Sequence, residues 1–176
     1  RVYGAEAAAQ HYFGVSAEGL SARQAALLAG CLPNPRAMYP ADPNGRLRAR
    51  QRMSILYDRS AACDALVIGT SNKTEALLGY GTLHGDMAAG LAPIGDLYKS
   101  QLRAVATELG VAEQILDKPP SADLWPGQTD EGELGRSYDA LDRALFALVD
   151  RRWTVDRCVA AGLPRDLVEW VAQRVA

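Results

Sequence analysis

Apolar and polar positions follow helical spacing along most of the chain. Residues 3–14, YGAEAAAQHYFG, are alanine-rich and stop at Gly14, which predicts a helix closed by a glycine. Ser21 is placed to cap a second predicted helix, SARQAALLAGC, with Leu27 and Leu28 on its apolar face. RLRARQRMSILYDRSAACD predicts a long helix with a basic first half. Its Arg46, Arg48, Arg50 and Arg52 cannot all share one face. DLYKSQLRAVATELG carries an apolar stripe at Leu97, Leu102, Val105, Ala106 and Leu109 and closes at Gly110. SYDALDRALFALVD and LPRDLVEWVAQRVA are amphipathic in the same sense.

Two segments break this pattern. LPNPRAMYPADPNG holds four prolines in fourteen residues, too many for a helix or a central strand, and predicts an extended linker. ALVIG, residues 65–69, is a short apolar run that passes through the polar turn TSNK into the helical TEALLGYG. That predicts a buried parallel strand handing over to a helix. One strand does not make a sheet, so residues 44–176 are expected to be the trailing half of an α/β domain.

Composition adds few constraints. The chain has 176 residues, 48% hydrophobic and 23% charged, the balance of a globular protein long enough to bury a core. A formal net charge of −2 gives no reason to expect nucleic acid or a membrane surface as partner. No apolar run approaches the ~20 residues of a transmembrane helix. No signal peptide is visible, and a cytoplasmic protein is expected. Cys31, Cys63 and Cys158 are widely spaced with no CxxC, which predicts reduced, mostly buried thiols. The sequence starts at Arg1 within a helical pattern, so an upstream continuation is expected.

Three places could carry chemistry. Ligands of open α/β sheets bind beyond the carboxyl ends of strands, and Gly69-Thr70-Ser71-Asn72-Lys73 sits at such an end. The turn offers hydroxyls, an amide, a cation and a helix start to a phosphate. Glu75 follows, either as a metal ligand or as part of a capped helix start. Lys99, on a helix expected to open near Gly95, either reaches back to a phosphate or is simply solvated. The loop 117–135, DKPPSADLWPGQTDEGELG, is long for a compact domain, with Leu124 and Trp125 to tie it down. Its Thr129-Asp130-Glu131 also reads as a plain helix start.

VIGTSNKTEALLGYGTLHGD, PIGDLYKSQ and DKPPSADLWPGQTDEGELG, in this order and spacing, resemble the bacterial NAD⁺ synthetases, and RARQRMSILYD resembles the helix before their first motif. The resemblance implies a partial adenine-nucleotide α-hydrolase-like (ATP pyrophosphatase) fold, helix-rich, in a homodimeric ligase. It implies ATP and Mg²⁺ as cofactors, deamido-NAD⁺ and ammonia as substrates, and an adenylated intermediate. Thr70, Lys99 and Ser121 match ATP-contacting positions, Glu75 the Mg²⁺ ligand and Arg50 a deamido-NAD⁺ contact. Leu83 stands where many members have a lysine on deamido-NAD⁺, with His84 beside it, and Gly90 stands where many have an aspartate. The family's Ser-Gly-Gly-x-Asp-Ser phosphate loop and its basic C-terminal tail have no counterpart here, so a lone chain is expected to be inactive.

Residues 1–43 form an expected α-helical N-terminal extension. VYGAEAAAQHYFG and LSARQAALLAGCLPNPRAMYP resemble the last part of the peptidoglycan glycosyltransferase domain. That family's catalytic glutamates lie upstream of this region, so Glu6 and Glu18 are not expected to be catalytic. The alternatives to a synthetase fragment are a glycosyltransferase fragment and a non-catalytic module that pairs through an exposed sheet edge.

Overall fold

A computed structural model describes residues 4–21, 24, 46–121 and 127–175. The proline-rich linker and Leu124 and Trp125 lie outside the described residues, as does nearly all of the second predicted helix. The chain divides into two compact units, residues 1–67 with 82–88, and residues 68–81 with 89–176.

In the first unit, α1 (Gly4–Phe13) ends as the glycine requires, with Gly14 at φ +67°. A 3-10 turn, Ala17–Gly19, follows, and Glu6 accepts the Ala17 N–H at 2.7 Å. Ser21 and Gln24 cap each other: the Gln24 N–H donates to Ser21 Oγ at 3.3 Å, and the Ser21 N–H to Gln24 Oε1 at 2.9 Å. The long basic helix is α2 (Arg46–Cys63), closed by Asp64 at φ +49° and by the Ala65 N–H on the Ser60 carbonyl. Ala49 on α2 is buried, and a Cβ on Gly85 would lie 2.9 Å from the Ala49 Cβ. Glycine is what lets the 82–88 turn approach the helix. Cys63 is exposed, against the expectation of a buried thiol, as are Ala61 and Ala62 beside it in the last turn of α2.

The second unit is helical. Its helices are α3 (Lys73–Leu78), α4 (Lys99–Glu108), α5 (Glu113–Leu116), α6 (Asp130–Leu134), α7 (Tyr138–Leu145), α8 (Val155–Ala160) and α9 (Arg165–Val175). Leu78 from α3, Tyr98, Leu141, Ala144 and Leu145 from α7, and Leu167 and Val171 from α9 make one buried cluster. Cys158 and Val168 close a second with Ala147. The core sits where the apolar stripes of α7 and α9 predict it.

α7 runs on into a π-helical turn, Phe146–Asp150, marked by the Arg151 N–H on the Phe146 carbonyl at 2.9 Å. The stripe of α4 is only partly covered. Leu102 and Ala106 are half-buried, while Val105 and Leu109 are 40% and 77% exposed.

The strand expected at residues 65–69 is reduced to a single parallel bridge between Ile68 and Leu91, and no strand occurs among the described residues. Ile68 and Leu91 remain about half exposed. A parallel strand inside a sheet is covered on both faces and paired on both edges. Here one neighbour supplies one hydrogen bond, the Gly69 N–H on the Leu91 carbonyl at 2.7 Å. Of the α/β expectation the described residues show the helices and one isolated bridge, and neither a strand nor a sheet.

Candidate functional site

The turn after the bridge begins with a close approach. A Cβ on Gly69 would meet the Ala89 Cβ at 2.7 Å, inside contact distance. Three residues on, Asn72 caps α3. Its Oδ1 accepts the Glu75 N–H at 3.0 Å, and Glu75 Oε2 accepts the Asn72 N–H at 3.1 Å. This is the reciprocal capping box that the Asn-x-x-Glu spacing allows. Glu75 is thus a capping residue in its own right, and its second oxygen points elsewhere.

That oxygen meets Lys99. Lys99 Nζ lies 3.0 Å from Glu75 Oε1, with both side chains under one fifth exposed, and the ammonium rests 5.1 Å from the centroid of the Tyr138 ring. Lys99 is the first residue of α4, which opens four residues later than Gly95 because tight turns close residues 92–97. The amides at that helix start are already engaged. The Lys99 N–H donates to Thr74 Oγ1 at 3.0 Å and the Ser100 N–H to Asp142 Oδ2 at 2.8 Å. Any grip on an anion by these residues must come from side chains, above all from Lys99 Nζ.

The other cation of the turn, Lys73, does not offer itself to a ligand. Its Nζ bonds Asp150 Oδ1 at 2.8 Å and Asp96 at 3.3 Å and lies over the Tyr98 ring. Tyr98 donates its hydroxyl to the other oxygen of Asp150. The bond to Lys73, then that to Tyr98, holds the Asp150 carboxyl below its usual range, while the bond to Asp150 raises Lys73. Asp150 is the last residue of the π-helical turn.

Beyond Lys99 lies a third group. Asp130, 5% exposed at the start of α6, accepts the Tyr138 hydroxyl at 2.9 Å and the Tyr80 hydroxyl at 3.2 Å. Tyr80 shares that one proton with Glu133 Oε2, at 2.5 Å, which also accepts from Gln128 Nε2 at 2.7 Å. Burial and the adjoining carboxylates push both phenols well above the usual tyrosine range, so they stay donors. The Asp130 N–H donates to the Pro120 carbonyl at 2.9 Å, which fixes the backbone next to half-buried Ser121.

Of the residues singled out from the sequence, the structure brings Glu75 and Lys99 into direct contact. Thr70 stands exposed at the head of their turn. Ser121 follows the carbonyl that meets α6. Arg50 is half-buried on α2, in the other unit. Leu83 and His84 are exposed on the 82–88 turn, and Gly90 is exposed beside the bridge. Sequence reasoning missed Asp142. It shares the stripe of Tyr138, Leu141 and Leu145, and a carboxylate inside an apolar stripe was the signal.

Among the described residues, no group of three or more His, Cys, Asp or Glu side chains could hold a metal alone. Glu75 is a single carboxylate with one oxygen on a cation. That fits Mg²⁺ delivered on phosphates, which takes only one or two protein carboxylates, and does not make an independent metal site.

An isolated bridge leads through a close-packed glycine into a capped helix, and a carboxylate and a lysine meet beside it. The comparison with known proteins names the family. The NAD synthase model matches residues 36–176, and the chain belongs to that family. It is 52% identical to the NH(3)-dependent NAD(+) synthetase of Trichlorobacter lovleyi over 131 residues, 74% of this chain and 48% of that one. The NH(3)-dependent NAD(+) synthetase of Fusobacterium nucleatum is 47% identical over the same length, 51% of its own.

Among solved structures, the NH3-dependent NAD synthetase of Campylobacter jejuni matches with TM-score 0.58 and 40% identity, covering 74% of this chain and 48% of that one. The NMN synthetase of Francisella tularensis matches with TM-score 0.61 and 34% identity, covering 85% and 59%. The chain spans about half the length of the curated relatives it matches. A Transglycosylase model matches residues 1–59, overlapping the first match. No helix among the described residues is long and apolar enough to cross a membrane.

Proposed function

We propose that residues 44–176 carry part of the ATP and Mg²⁺ grip of an ammonia-dependent NAD⁺ synthetase, joined to a glycosyltransferase-like segment at residues 1–43. The observation that carries this reading is the Lys99–Glu75 pair beside the capped turn, on a chain of this family. In the reaction, the nicotinate carboxylate of deamido-NAD⁺ attacks the α-phosphorus of ATP and pyrophosphate leaves. Ammonia then attacks the acyl carbon, the acyl–oxygen bond to AMP breaks, and the nitrogen gives up one proton to leave the carboxamide. Adenylation is needed because a free carboxylate resists ammonia.

Negative charge grows on the departing pyrophosphate, and a lysine and a metal aimed there lower the barrier. Lys99 Nζ exchanges the Glu75 carboxylate for a phosphate oxygen, which frees Glu75 Oε1. Mg²⁺, when bound with ATP, would take that oxygen and supply charge neutralisation. Tyr138, under the ammonium, keeps Lys99 in place during the exchange. Thr70 and Ser121 add hydroxyls to the nucleotide, and Arg50 offers its planar fork to deamido-NAD⁺. A cytoplasmic homodimer is the expected setting.

Calorimetric titration of the purified 176-residue chain with Mg·ATP tests this. Binding is expected, weakened at least about tenfold by Lys99→Met and by Glu75→Gln, the scale of one charged hydrogen bond. No binding, or binding that ignores both substitutions, would overturn it. Incubation with deamido-NAD⁺, ammonia and Mg·ATP is expected to form no NAD⁺.

A further inference from the structure

We propose that Asp142 is the positioning residue of the Lys99–Glu75 pair, acting through the hydroxyl of Thr74. The inference rests on the nucleotide role given to that pair. Asp142 is 5% exposed and Thr74 fully buried. Oδ1 of Asp142 accepts the Thr74 hydroxyl at 2.5 Å, and Oδ2 accepts the Ser100 N–H at 2.8 Å. Thr74 Oγ1 in turn accepts the Lys99 N–H at 3.0 Å. One carboxylate on α7 therefore ties the second residue of α3 to the first two residues of α4.

The two ends it ties are those that carry the pair. Glu75 follows Thr74, and Lys99 precedes Ser100. A carboxylate this deep in an apolar stripe is costly to bury unless it is hydrogen-bonded, and both its oxygens are. It also lies at the amino end of α4, where the helix dipole favours negative charge. An isosteric amide cannot do the same work. Asparagine offers one acceptor oxygen where two donors, the Thr74 O–H and the Ser100 N–H, need one each. The clamp sets where Lys99 starts, and so how far its Nζ must reach to Glu75 or to a phosphate.

The test compares Asp142→Asn, Thr74→Val and Thr74→Ser in the full chain. Two readouts need no ligand: amide exchange at Lys99 and Ser100, and the rate at which acetic anhydride acylates Lys99, with Lys73 as internal reference. Lys73 is held by Asp150 and Asp96 and not by Asp142. Thr74→Val and Asp142→Asn are expected to raise Lys99 acylation several-fold and speed exchange at both amides, with Lys73 unchanged and Thr74→Ser close to the parent.

Unchanged Lys99 acylation and exchange in Thr74→Val would overturn the proposal. So would Lys73 rising in step with Lys99, which marks general loosening. If Asp142→Asn does not fold, the two Thr74 variants decide. Mg·ATP binding is a third readout, expected to weaken in Thr74→Val and return in Thr74→Ser. A parent chain that binds no nucleotide would remove the synthetase reading, while the acylation result would still judge the clamp.

Discussion

The hydroxyl of Tyr138 donates to Oδ2 of Asp130 across 2.9 Å, while the ring that bears it lies under the ammonium of Lys99. One side chain thus joins the start of α6 to the candidate site. Tyr138→Phe keeps the ring and removes the bond, leaving a buried carboxylate short of a donor. We expect a loss of about 1–3 kcal/mol in urea unfolding, with Lys99 acylation little changed. A neutral substitution would show that Asp130 is satisfied without Tyr138.

Alkaline pH separates the folded and unfolded chains. Tyr80, Tyr98 and Tyr138 hold their protons above the usual tyrosine range when folded, first because they are buried and then because carboxylates adjoin them. Above about pH 10 the unfolded chain has released these protons and the folded chain has not. Folding then binds more protons, and stability falls as pH rises. Melting temperature is expected to be level up to about pH 9 and to drop beyond it, less steeply in Tyr80→Phe. An equal slope in that variant would count against the assignment.

On the acid side the sign reverses. Asp150 is held below its usual range by Lys73 and Tyr98, so its contribution is present above the unfolded carboxyl pKa of about 3.9 and is lost as pH falls below it. Asp150→Asn should flatten the acid limb of stability. An acid limb identical to the parent's would refute this.

Gly69→Ala should cost about 1–3 kcal/mol, since the new methyl would stand 2.7 Å from the Ala89 Cβ and neither is the end of a flexible chain. Thermal unfolding measures it, and an unaltered midpoint would show that the turn yields.

Cys158 is fully buried and its thiol is pushed up by that burial, whereas Cys63 is exposed. A thiol reagent should modify Cys63 in the folded chain and Cys158 only after denaturant is added. Equal rates at the two, followed by peptide mass mapping, would contradict the packing of α8.

Most helices were legible because the chemistry that starts and stops them is local: Gly14 after α1, Ser21 with Gln24, Asn72 with Glu75. The strand was overread. Val67 and Ile68 favour an extended backbone, but a sheet is made by neighbours, and Ile68 finds one, Leu91. Val105 and Leu109 belong to the apolar stripe of α4 and are exposed, since a stripe records that a face is apolar and not that something lies on it.

In the candidate site, Glu75 and Lys99 were reached through family motifs. The fate of Lys73 was not, because its partner Asp150 stands 77 positions away and spacing is silent about such pairs. Asp142 was visible only as an anomaly in its stripe. For Thr70, Ser121 and Arg50 the roles are what the resemblance implies.

The π-helical turn Phe146–Asp150 has a consequence for how this region tolerates change in length. Deleting one residue there would restore ordinary winding and swing Asp150 about 100° around the axis, away from Lys73 and Tyr98. Of its two carboxylates Lys73 would keep Asp96, and the phenol of Tyr98 would lose its acceptor. Side chains at the exposed Phe146 position can vary, but the number of residues between Leu145 and Arg151 cannot.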